Sequence, residues 1–146
     1  MKLEQQCVSL DLAKRLKELG VKQESLYYLW TDSFGVNKNS AIAMTELRDH
    51  TPHNPQGGWQ YFSAFTVAEL GEILPVSVQM NEETHWLEIG KTEFKWQCGY
   101  TYDHEGTIGW GRVNDSVHHA VGKANTEVDA RAKMLCYLLE NKLITP

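Results

Sequence analysis

The sequence predicts an α+β fold: one domain over residues 1–146, with an antiparallel sheet of about four to six strands packed with two or three helices, the C-terminal one capped. Three observations point there. Thr66 with Glu69, and Thr126 with Asp129, carry the spacing of helix starts. Between them the apolar period shortens to two, most clearly where Phe94, Trp96, Cys98 and Tyr100 alternate with Glu93, Lys95, Gln97 and Gly99. Helical and strand-like runs are interspersed, without the long crossovers that a parallel sheet needs.

The first helix is expected from Ser9 to Leu19. Val8, Leu12, Leu16 and Leu19 fall on one face, Ser9 can cap the free N–H groups, and Gly20 can take the left-handed conformation that ends the helix. Lys14, Arg15, Lys17 and Glu18 lie largely off that face and read as solvated. Ser25 to Trp30 is aromatic and suits a strand. Thr31 to Ser40 holds turn formers, and Ala41 to Leu47 can pair back as a hairpin. Asp49 to Gly58, with two prolines and two glycines, reads as an irregular exposed loop.

At the second helix, Thr66 is the cap and Glu69 its reciprocal partner. Phe65 and Leu70 can form a hydrophobic staple across the cap, and Pro75 stops the helix. Val76, Val78 and Met80 then alternate with polar residues, and His85 to Ile89 leads into Gly90-Lys91, a pair suited to a type II′ turn. The Phe94–Tyr100 alternation implies a strand with one buried face. Asp103 to Asp115 is turn-rich, and Val117 to Val121 reads as a further strand. The last helix runs from Thr126 to about Asn141, with Val128, Ala132, Leu135 and Leu139 as its core stripe and Leu138 widening it. Leu143 and Ile144 are expected to pack down on the domain. There is no internal repeat.

Composition narrows the function classes. A formal net charge of −5 argues against broad nucleic-acid binding, leaving Lys14, Arg15, Lys17 and Lys22 as the basic residues for a weak association. No apolar run is long enough for a membrane span, and Met1 to Gln6 lacks the apolar stretch of a secretory signal, so the expected location is cytoplasmic. The three cysteines, Cys7, Cys98 and Cys136, have no CxxC spacing and read as reduced, buried thiols.

Three stretches carry a family resemblance: Val8 to Ser25, Ala64 to Pro75 (AFTVAELGEILP) and Thr126 to Asn141 (TEVDARAKMLCYLLEN). Together they resemble an uncharacterised family of small bacteriophage and prophage proteins. From Ala64 onward the layout of helix, meander and helix is also similar to small sandwich-like phage domains. The family has no assigned activity, so the resemblance implies a setting, a phage or prophage accessory protein, and no catalytic residues.

The polar constellations imply little chemistry. His50 and His53, with Asp49 beside them, have spacing that could share a metal, but a proline loop does not fix the rings and no fourth ligand has recognisable spacing. His118 and His119 are strand neighbours and point to opposite faces. The glycine-rich Gly106–Gly111 stretch matches no phosphate-binding loop. Trp110 between glycines reads either as an exposed contact residue or as core. The sequence thus predicts a non-enzymatic binding protein without cofactor or metal. Its candidate surface is loop Asp49–Gly58 with Trp59, Tyr61 and Trp110, and its partner an unidentified protein, such as a host protein or defence factor, or a small ligand. It is expected as a monomer or homodimer. The alternative is a small metal-dependent or histidine-dependent hydrolase built on His50, His53 or a strand histidine.

Overall fold

The computed structural model describes residues 5–32, 41–44, 59–80, 82–101 and 121–146. Among them three helices pack with two antiparallel sheets, an α+β fold as the sequence predicts. The first helix, α1 (Leu10–Glu18), precedes β1 (Tyr27–Asp32) and β2 (Ala41–Met44). These pair with Tyr27 opposite Met44 and Trp30 opposite Ala41, as the expected hairpin. On the other side of β1 lies β3 (Trp59–Ser63), with Leu29 opposite Phe62, giving the order β2-β1-β3. This third strand was not expected from the sequence.

Then come α2 (Val67–Ile73), β4 (Ser77–Met80), β5 (Glu83–Lys91), β6 (Trp96–Thr101), β7 (Val121–Ala124) and α3 (Glu127–Glu140), with the second sheet in the order β4-β5-β6-β7. The strand expected at Val117–Val121 falls outside the described residues except for Val121, which opens β7.

Local chemistry fixes the helix ends. At α2 the capping box forms in full. Glu69 N–H donates to Thr66 Oγ1 at 3.3 Å, and Thr66 N–H donates to Glu69 Oε2 at 2.7 Å. Thr66 also joins the N-terminal segment through an isolated antiparallel bridge to Cys7. At α3, Thr126 accepts from Asp129 N–H. The Asp129 carboxylate turns outward and accepts from Ser9 N–H at 2.8 Å, which ties the start of α1 to the start of α3. Ser9 makes no side-chain cap, contrary to expectation. Gly20 follows α1 with φ of 87°, the left-handed turn that glycine allows at least cost.

The helix α3 is the centre of the core. It packs on β6 and β7 and also touches α1 and α2. Val128, Ala130, Ala132, Met134, Leu135, Cys136 and Leu138 are all buried, more than a single stripe would give, because the helix is covered from three sides. Strand β7 lies so close that a Cβ on Gly122 would overlap the carbonyl of Ala130 and stand 3.0 Å from Met134 N. From the strands, Val78, Met80, His85, Cys98, Tyr100 and Ala124 face inward. The Tyr100 hydroxyl donates to Pro75 O at 2.6 Å, which satisfies the one polar atom of a buried ring. In the smaller sheet, Phe62 is buried with the ammonium groups of Lys14 and Lys17 at 5.7 and 4.9 Å from its ring centre.

Candidate functional site

The site residues expected from the sequence divide into two groups. Asp49, His50, His53 and Trp110 lie outside the described residues, as do His118, His119 and the loop Asp49–Gly58. Trp59 opens β3 opposite Asp32, and Tyr61 pairs with Trp30 two positions later. Tyr61 is half-buried, and its carbonyl accepts from Lys17 Nζ at 3.1 Å. So β3 carries both of these aromatics on an edge strand of the smaller sheet as described.

The histidine and the three thiols that are described lie in the core. His85 is fully buried on β5, in register with Val78. Among the described residues no three of His, Cys, Asp and Glu are placed to share a metal ion. The three thiols are buried and none is in a disulfide. Burial, opposed in part by Arg131, pushes the Cys98 thiol up to about 11, and burial chiefly pushes Cys136 up to about 11 as well. Both are therefore protonated and poor nucleophiles at neutral pH. Partial burial acts to raise the Glu69 carboxyl, but hydrogen bonds from Thr66 N–H, Leu26 N–H, the Thr66 hydroxyl and Ser25 outweigh it and hold the group below its ordinary value.

Three of the four basic residues in and after α1 are engaged within the chain. Arg15 pairs with Glu18 at 3.0 Å and Glu140 at 2.8 Å, Lys22 pairs with Glu24 at 2.6 Å, and Lys17 is spent on the Tyr61 carbonyl. These exposed pairs add little stability, but they place carboxylates where a phosphate backbone would have to come.

The β5–β6 hairpin departs most from expectation. Gly90 and Lys91 do not form its turn. They continue β5, opposite Gln97 and Trp96. The chain reverses at Thr92–Lys95 instead. Thr92 N–H donates to Lys95 O at 2.8 Å, and Lys95 N–H donates to Thr92 Oγ1 at 3.1 Å. The Thr92 hydroxyl donates to Lys95 O at 2.9 Å. Neither Glu93 nor Phe94 takes a positive φ, so no glycine is required there. The longer ladder also sets Lys91 Nζ 5.6 Å from the centre of the Trp96 ring.

As a result Phe94, expected on a buried strand face, stands at the tip of the hairpin and is 79% exposed. The alternation holds from Trp96 inward, where Cys98 and Tyr100 are buried. The missed signal was Thr92, whose hydroxyl can hold an N–H three residues on, as short side chains do in turns. Other large apolar residues in solvent are Val76 at 72%, Leu26 at 63% and Trp86 at 53%. Trp86 points away from α3, on the outer face of the four-stranded sheet, with Ser77 and Thr101 opposite it.

Comparison of the chain with protein-family models, with curated proteins and with solved structures gives no match. Among the described residues no helix is long and apolar enough to cross a membrane.

Proposed function

We propose that this chain is a non-enzymatic interaction protein, an accessory of a bacteriophage or prophage that acts in the cytoplasm by binding a host protein such as a defence factor. The observation that carries the binding role is Phe94, held in solvent at 79% exposure by a turn closed with three hydrogen bonds. A rigidly presented aromatic loses little entropy on docking, and such side chains dominate interface energies. Trp86 and Val76 add exposed apolar surface on the same sheet. Trp59 and Tyr61 of β3, and Trp110, remain the candidates for a second contact. The phage setting rests on the resemblance of Val8–Ser25, Ala64–Pro75 and Thr126–Asn141 alone.

The test is purification of the tagged chain from infected or lysogenic cells, with wild type compared against a combined Phe94→Ala, Trp59→Ala, Tyr61→Ala and Trp110→Ala variant. One protein retained in stoichiometric amount by the wild type and lost from the variant is the expected result. Equal recovery, with no change in phage growth or host defence between the two, would remove the proposal.

A further inference from the structure

The end of the sheet that carries Phe94 differs in charge from the rest of the molecule. Lys91 and Lys95 flank the tip, and among the described residues neither is in an ion pair. Lys91, Trp96 and Ala124 form one row across β5, β6 and β7. Beside that row, Lys123 is in register with Gln97, and Lys133 of α3 donates to the Lys123 carbonyl at 2.8 Å. Against these four lysines this end of the hairpin sets two carboxylates, Glu88 and Glu93, while the third, Glu83, lies at the far end of β5 opposite Met80. Among the described residues this end is therefore net positive, in a chain of formal charge −5. Near α1, by contrast, Arg15 is paired with Glu18 and Glu140, and Lys22 with Glu24.

From this juxtaposition we infer that the Phe94 tip with Lys91 and Lys95 is a docking site for an acidic peptide segment of a partner protein, one carrying an apolar side chain among its carboxylates. The inference rests on the binding role proposed above and names the chemistry of its partner. Phe94 supplies the apolar anchor. The lysines supply long-range attraction, which raises the association rate and makes the affinity fall with salt. Phe94 and the lysines are on or next to a turn pinned by its own hydrogen bonds, so the site exists before the partner arrives.

The experiment uses the full chain, immobilised and panned against a displayed library of random short peptides. The strongest selected peptide is then synthesised, labelled and titrated by fluorescence anisotropy at low and high salt. Selected peptides rich in Asp and Glu around a Leu, Ile, Phe or Trp are expected. Phe94→Ala should weaken the peptide at least about tenfold, and Lys91→Glu with Lys95→Glu should abolish binding, while Lys91→Arg with Lys95→Arg retains it. Phe94 is exposed, so unchanged far-ultraviolet circular dichroism and Tm separate lost binding from lost fold. Selected peptides without acidic residues, or acidic peptides indifferent to Phe94→Ala, would overturn the inference. So would tighter binding of a labelled oligothymidylate of matched charge, since a phosphate backbone would then be the better ligand. Peptides lost on Tyr61→Ala and not on Phe94→Ala would overturn this site and leave the broader binding role standing.

Discussion

The inner face of the four-stranded sheet and the tip of its β5–β6 hairpin come from one alternating run of sequence, yet they end in opposite environments. Cys98 and Tyr100 lie under α3 and are 0% and 1% exposed, while Phe94, of the same apparent phase, is the most exposed large apolar side chain described. The difference is coverage. Strand β7 ends at Ala124, level with Trp96, and the chain turns there into α3. Among the described residues no helix lies over the turn beyond Trp96, where Phe94 stays exposed. Apolar periodicity marks which residues suit burial, and the reach of the overlying helix decides which of them are buried.

The sharpest way to break this contrast is to force the covered region apart. Gly122→Ala sets a methyl group against the Ala130 carbonyl, so strand or helix must move. Destabilisation of about 3 kcal/mol is expected, the upper part of the overpacking range, seen as a Tm lower by about 10 °C. An unchanged Tm would mean that the β7–α3 approach is looser than the geometry here.

A smaller effect is expected at the edge of the covered region. Thr66→Ala removes the side-chain half of the α2 capping box and should cost about 1 kcal/mol in urea unfolding. The same network makes an acid prediction. Glu69 has a lowered native value, so its contribution is complete above the ordinary carboxylate range, near pH 4.3, and is lost as pH falls through the native value. Glu69→Gln should therefore be less stable than wild type at neutral pH and converge toward it in acid, followed by thermal melts across that range. The smallest effect belongs to the tip. Phe94→Ala should change unfolding free energy by less than about 0.5 kcal/mol, and a larger loss would place the ring in contact with the fold.

The parts legible in the sequence were those set by neighbours along the chain. The Thr66 and Thr126 starts, the Gly20 stop and the β1–β2 pairing each depend on a few adjacent residues, and each forms. What escaped depends on distant ones. Strand β3 is held by pairing with β1, across the undescribed segments between them, although Trp59 and Tyr61 already alternate around Gln60. Ser9 loses its expected capping role, and its backbone N–H meets Asp129, 120 residues on. The Phe94 anchor was hidden for the same reason, because its exposure is decided where α3 begins. The sequence-level candidates Asp49, His50, His53 and Trp110 lie outside the described residues and stay expectations.

The buried thiols supply a clock for this architecture. Cys98 sits between sheet and α3, Cys136 on α3 itself, and Cys7 at the bridge to Thr66, each out of reach of a water-borne alkylating reagent while the layers stay closed. Each sulfur can be modified only when its own cover parts, so the three modification rates, resolved by mass spectrometry, time separate openings at the N-terminal junction, at the sheet–α3 seam and around α3 near Arg15 of α1, without any introduced label.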